Sequence, residues 1–133
     1  MRPLLLAATA LCLAATPGIA RDRGAVPAAR PAGKSVTCVP IPQIRSSHVR
    51  SDQVIDFEMR GGKVYRNTLP QSCPRLGFEQ RFSYTTPLSQ LCSSDIIYVL
   101  QQTPSLQRGA GCGLGQFQPV TLEKEPRRAS NRR

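Results

Sequence analysis

Of the 133 residues none is Trp, one is His and 5% are aromatic. An acid and a base drawn from two histidines, as in ribonuclease-like catalysis, are therefore excluded. Beyond the first twenty residues no apolar run approaches the about 20 residues that a transmembrane helix needs. Long Ala/Leu/Glu/Lys stretches are absent, and with them a helical core. The cysteines include no C-x₂₋₄-C pair, so the tight knuckle from which a structural zinc site draws two ligands is missing. No Ser stands on a Gly-x-Ser-x-Gly elbow. No catalytic, metal or cofactor motif is left to read, and the length allows one small domain.

What is present begins at the N-terminus. Met1, Arg2 and Pro3 form a short positive region, Leu4 to Ala15 is apolar apart from Thr9, and Pro17 breaks the helix before Gly18-Ile19-Ala20. The small residues at 18 and 20 place signal-peptide cleavage after Ala20. The apolar run, about 12 residues, is too short for an uncleaved anchor. Cys12 lacks the small preceding residue of a lipidation site and leaves with the signal peptide. The processed chain of 113 residues keeps 17 basic and 8 acidic groups, a charge of +9. It also keeps four cysteines, Cys38, Cys73, Cys92 and Cys112, an even number that in an exported chain reads as two disulfides.

Composition divides the processed chain into three. Residues 21–35 hold Arg21, Arg23, Arg30 and Lys34 against Asp22 among Ala, Pro and Gly, and read as a disordered basic leader. Residues 123–133 hold five basic groups against Glu123 and Glu125 without a large apolar side chain, and read as a disordered basic tail. The segment 36–122 between them is the folded domain. Each part carries +3, so two thirds of the net charge lies outside the expected fold.

Within 36–122 the apolar period is two. The strongest signal is Val54–Arg60, Gly61-Gly62, then Lys63–Leu69: a Gly pair between alternating runs predicts a two-residue hairpin loop with positive φ at both glycines. That register sets Met59 opposite Val64, turns Ile55, Phe57, Met59 and Val64 inward, and leaves Asp56, Glu58, Arg60 and Lys63 to water. Further strands are expected at Ile44–Val49, Arg81–Thr85, Ile96–Gln101 and Gln116–Leu122, with Pro70, Pro74, Pro87 and Pro104 at the breaks. The fold class is mainly β, a small antiparallel barrel or curled sheet of about six strands clamped by two disulfides. A meander would lay its first and last strands side by side and favour Cys38 with Cys112 and Cys73 with Cys92 among the three connectivities.

The cysteine frame, with Ile44-Arg45, Asp52, Ile55, Phe57, Gly61-Gly62-Lys63-Val64-Tyr65-Arg66-Asn67-Thr68-Leu69-Pro70, Cys73-Pro74-Arg75-Leu76, Phe82, Tyr84, Leu91-Cys92, Asp95, Ile97 and Cys112-Gly113-Leu114-Gly115, resembles a family of small exported bacterial proteins classed as a domain of unknown function. The similarity spans roughly Cys38 to Val120. It implies an envelope or secreted location and four paired cysteines, and it carries no activity.

Chemistry-bearing residues are few. His48 stands beside Ser46-Ser47 and before Asp52, but on a strand Ser47 and His48 point to opposite faces, so His48 reads as an exposed strand residue rather than a triad base. Asp56 and Glu58 share the outer face of one strand, where carboxylates serve solubility. Asp52 and Asp95 read as turn residues accepting local backbone N–H bonds. Gly109–Gly115 alternates every second residue instead of following the dinucleotide spacing, and reads as a flexible turn closed by Cys112. Arg45, Arg60, Lys63, Arg66, Arg75 and Arg81 with Tyr65, Phe78, Phe82 and Tyr84 could form a basic face with stacking aromatics. The domain's low charge and its need of those aromatics for a core argue against sequence-specific nucleic-acid binding, and leave Arg60, Lys63, Tyr65 and Arg66 as the candidate binding surface.

The expected function is non-enzymatic binding or structural work in the cell envelope, periplasmic or secreted. The partner is an envelope polyanion (lipopolysaccharide, anionic lipid, acidic polysaccharide, extracellular DNA) or another envelope protein. An inhibitor or accessory subunit presenting the Pro70–Leu76 loop is the second reading, and a small secreted hydrolase the third. Thiol labelling of the processed chain under denaturing, non-reducing conditions should give no adduct. Two or more adducts per molecule would remove the disulfide frame.

Overall fold

A computed structural model describes residues 26–124. The segment read as a signal peptide, residues 21–25 of the leader and residues 125–133 of the tail lie outside the described residues.

Among the described residues the strands are β1 (Ala29–Pro31), β2 (Cys38–Pro40), β3 (Ile44–Val49), β4 (Val54–Met59), β5 (Val64–Thr68), β6 (Phe82–Tyr84), β7 (Gln90–Cys92), β8 (Ile96–Gln101), β9 (Gln107–Gly113) and β10 (Phe117–Leu122), with one short α-helix, α1 (Leu76–Glu79), and a 3-10 turn at Ile41–Gln43. The protein is mainly β, but it is not a barrel. Three separate sheets form, a five-stranded one in the order β1-β10-β5-β4-β3, a two-stranded one of β2 and β7, and a three-stranded one in the order β6-β8-β9. Every strand pair is antiparallel. The sheets therefore keep edges, of which β1 is short and blunted, with three residues ending in Pro31, which has no N–H to offer a further strand, while β3 and β9 are edges of six and seven residues.

The sheets share one core. Phe57 from β4 stacks edge-on against Phe117 of β10 at 5.5 Å and Phe82 of β6 at 6.2 Å, joining the two larger sheets. Val39 and Leu91 bring in the two-stranded sheet, and Ile55, Leu69, Leu76, Ile97 and Val99 are buried with them. Each such side chain contributes about 1.5–3 kcal/mol on burial. Asn67 lies among them with no exposed surface. Its amide donates to the Gly115 carbonyl at 2.7 Å and accepts from the Gly115 N–H at 2.8 Å, so both ends of a buried polar group are satisfied. A Cβ on Gly115 would lie 2.2 Å from the Thr68 carbonyl, and only glycine permits that approach.

Several expectations change. Residues 29–31, assigned by composition to a disordered leader, form β1 because β10 offers them a free edge, Ala29 pairing with Leu122 and Pro31 with Val120. Glu123, assigned to the tail, is held by the same strand: its N–H donates to the Ala28 carbonyl and its carboxylate accepts from Arg30. The glycine stretch read as a turn is mostly β9. Two of its glycines make room for the neighbouring strand, since a Cβ on Gly111 would meet the Tyr98 ring at 2.9 Å and one on Gly109 the movable Gln101 amide at 2.8 Å, whereas a Cβ on Gly113 would meet nothing. The disulfides join Cys38 to Cys92 and Cys73 to Cys112, not the pairing a meander favours. Cys38 and Cys92 stand directly opposite in the β2–β7 pair, while Cys112 lies on β9 rather than on the last strand.

The β4–β5 hairpin also shifts by one residue. Met59 donates to the Lys63 carbonyl at 2.7 Å and Gly62 to the Met59 carbonyl at 3.0 Å, so the loop holds three residues, Arg60-Gly61-Gly62. Glu58 pairs with Val64 and Phe57 with Tyr65; Tyr65 therefore takes the core-facing place expected for Val64. Both glycines do adopt positive φ, +93° and +92°. Replacing both with Val should cost about 1 to 2 kcal/mol per residue in unfolding free energy, the penalty of a side chain in the left-handed region. An unchanged thermal midpoint would contradict this account of the turn.

Candidate functional site

Alternation along β4 sends Ile55, Phe57 and Met59 into the core and Asp56 and Glu58 to the opposite face of the five-stranded sheet. Asp56 is nevertheless 1% exposed, against the expectation of a solvated carboxylate. The cause is its cross-strand register: Arg66 on β5 lies directly opposite, and Arg50 follows β3, two residues beyond His48 and on the same face. Arg66 donates through Nε to Oδ1 at 2.8 Å and through Nη2 to Oδ2 at 3.0 Å, and Arg50 donates through Nε to Oδ2 at 2.9 Å. The two guanidiniums close over the carboxylate, Arg66 being 15% and Arg50 26% exposed. Burial by itself raises the Asp56 pKa, but the hydrogen bonds from Arg66 and Arg50 and their charges outweigh it and hold the carboxyl below the ordinary value of 3.8.

One row along the same face, Ser46, His48 and Glu58 converge. Ser46 Oγ lies 3.1 Å from His48 Nε2 and donates to Glu58 Oε2 at 3.2 Å; Nε2 and Oε2 are 3.6 Å apart, and Arg45 reaches Oε1 at 3.5 Å. The rejection of Ser47 stands, because Ser47 pairs with Phe57 and faces the other way. Ser46 was missed although it stands two residues from His48, the spacing that puts strand residues on one face. The arrangement is not that of a Ser-His-Asp triad: the carboxylate sits on the Nε2 side, together with the hydroxyl, instead of orienting the ring through Nδ1.

A recess of about 530 Å³ lies between Pro70, Gln71, Ser72 and Pro74 on one wall and residues 110–113 of β9 on the other. The Cys73–Cys112 disulfide ties the two walls. Its lining is proline, main chain and neutral polar side chains, with no carboxylate, imidazole, amine or guanidinium. Behind it, Asp52 is not a local turn former as expected. Its Oδ1 accepts from the Gly77 N–H of α1 at 2.7 Å and its carbonyl from the Cys73 N–H; Ser51 Oγ makes the local bonds, from Gln53 and Val54. Asp95 does accept locally, from the Cys92 N–H at 2.7 Å.

The surface proposed from the sequence comes apart. Arg60 turns its Nε to the Pro42 carbonyl at 3.0 Å, Lys63 lies over the Tyr65 ring at 4.9 Å, and Tyr65 packs against the core. Arg66 is on the opposite face of the same strand, bound to Asp56. Phe82 and Tyr84 also serve the core. Phe78 alone of the proposed stacking aromatics stands free, 79% exposed with the Arg75 guanidinium 5.2 Å from its ring.

Removing the carboxylate with Asp56→Ala would strand two guanidiniums and should destabilise the fold by about 3 kcal/mol at pH 7. Because the folded-state pKa is lowered, the contribution of Asp56 is fully present above about pH 3.8 and is lost as pH falls below that. Urea unfolding should show the gap between wild type and variant narrowing from pH 7 to pH 3; a constant gap would contradict the ion-pair account.

Comparison with known proteins supplies no relative: no family model, no curated protein and no solved structure matches the chain.

Proposed function

We propose that the chain is an exported, disulfide-bonded β domain that binds a partner in the cell envelope and performs no catalysis. The observation that carries this reading is the braced recess. A disulfide fastens its Pro70–Pro74 wall to β9, and the prolines restrict that wall further, so the recess is pre-formed and a partner would not have to order it on binding. Its neutral lining suits van der Waals and main-chain hydrogen-bond recognition of a segment of another envelope protein, and it provides no group to take or give a proton near neutral pH. Two disulfides and the absence, among the described residues, of a helix able to cross a membrane accord with an exported chain.

The reading as an inhibitor or accessory subunit is favoured by a separate observation. The loop from Pro70 to Leu76 is anchored at both ends of its second half by buried Cys73 and Leu76, while Gln71, Ser72, Pro74 and Arg75 face solvent. Exposed Phe78 follows on α1. Such a loop is an exposed, anchored element as well as a wall.

The test is expression of the tagged full chain in a bacterial host, fractionation, and capture from periplasmic extract. The processed, oxidised protein should appear in the periplasm and retain a partner that Ser72→Trp, which fills the recess, releases. Loss of capture with Phe78→Asp but not with Ser72→Trp would replace the recess by the loop reading. An unprocessed cytoplasmic protein with four reduced thiols would overturn both.

A further inference from the structure

Asp56 neutralises one of the two guanidiniums that close over it, so the cluster Arg50–Asp56–Arg66 keeps one positive charge. It also keeps unused donors. Both carboxylate oxygens are filled by Arg50 Nε, Arg66 Nε and Arg66 Nη2, and among the described residues Arg50 Nη1 and Nη2 and Arg66 Nη1 have no protein acceptor. These atoms are not sealed in, because the one buried side-chain polar atom without a partner among the described residues is Ser83 Oγ. His48, directly opposite Asp56 on β3, adds a ring whose Nδ1 makes no hydrogen bond to the described residues. We propose that this cluster is a phosphate-binding site on the outer face of the five-stranded sheet, with Arg50 and Arg66 as the ligands and Asp56 as the residue that positions them.

The chemistry follows from how the forks are held. A free arginine must give up side-chain entropy to bind an anion, whereas these two are already oriented by charge-assisted bonds to one buried carboxylate. Asp56 takes the Nε–Nη2 edge of Arg66 but only the Nε of Arg50, so what remains is two separate sets of Nη donors. A tetrahedral phosphate, with several terminal oxygens, can accept from both; a planar carboxylate matches a single fork edge. The half-buried setting weakens solvent screening of the residual charge. Glu58 on the same face is also met by two basic side chains, Arg45 at 3.5 Å and His48 at 3.6 Å, but it is more exposed and takes a hydrogen bond from neither; the other ion pairs among the described residues match one cation to one anion. The phosphate chemistry rests on the forks alone. That its source is an envelope lipid head group rather than free phosphate rests on the export reading, and cell fractionation tests that separately.

The test is titration of the ¹⁵N-labelled protein as purified, tails included, with inorganic phosphate at ionic strength held constant by chloride, following the arginine Nε–Hε resonances. The Arg50 and Arg66 signals should shift and saturate, while the arginines of the leader and tail drift without saturating. Arg50→Gln, which leaves Arg66 its two bonds to Asp56, should weaken phosphate binding about tenfold, and Arg50→Lys, which keeps the charge but loses the fork, about fivefold. Thermal melts check that both variants fold, and the saturating shift in the wild-type protein stands if one does not. All arginines moving together without saturation, or equal affinity in folded Arg50→Gln, would overturn the site. A second arm uses vesicles of phosphatidylglycerol in phosphatidylcholine. Vesicle binding that Arg50→Gln weakens assigns the phosphate to a lipid head group; phosphate binding that Arg50→Gln weakens beside vesicle binding it leaves unchanged assigns it to a soluble phosphate.

Discussion

Covalent closure is the constraint on which this fold depends. A two-stranded sheet of three-residue strands is at best marginal in water, yet β2 and β7 contribute Val39 and Leu91 to the common core. They are held because Cys38 and Cys92 face each other across the pair. The second disulfide fixes Cys73, fully buried, against β9 and so fastens the loop that would otherwise leave one end of the core open. The sequence separations of 54 and 39 residues are long, and cross-links of that span contribute about 2 to 4 kcal/mol each by restricting the unfolded chain. For a domain with so few aromatics, that contribution is comparable to burying one or two further large side chains.

The five-stranded sheet solves a different problem on each face. One face builds the core around Phe57, Phe117 and Ile55. The other buries a carboxylate, which would be costly without partners and is tolerable because two guanidiniums fill both of its oxygens. The arrangement also pins register. A slip of one residue between β4 and β5 would send Asp56 toward the core and separate it from Arg66. The cation left over by this two-to-one pairing is what distinguishes the outer face from an ordinary solvated one, and it gives the disulfide-braced fold a charged surface distinct from its neutral recess.

Alternation and the Gly61-Gly62 pair made β3, β4, β5, β8 and β10 legible, and the even cysteine count made the disulfides legible. β6 was legible too, within the strand expected at Arg81–Thr85; the three-residue strands β1, β2 and β7 were not, because segments as short as Cys38–Pro40 and Gln90–Cys92 contain no periodicity to read, and pairing with a distant partner creates them. β9 was misread because glycine argues for a turn locally, whereas here Tyr98 and Gln101 fill the space that side chains would take. Arg60, Lys63, Tyr65 and Arg66 do not share one face, because consecutive strand residues such as Tyr65 and Arg66 point to opposite sides of the sheet. Ser46 with His48 was readable from strand spacing; Glu58 joining them was not, since that depends on the β3–β4 register.

The residues alone therefore determined a mainly β class, the positive φ of the hairpin glycines and the presence of paired cysteines, because these follow from local periodicity, backbone sterics and parity. The tertiary structure alone decided the three-sheet architecture, the disulfide partners, the ordering of residues 29–31 and the burial of Asp56. Each of these is a contact between segments far apart in the chain, and its free energy appears only when the partner segment is in place.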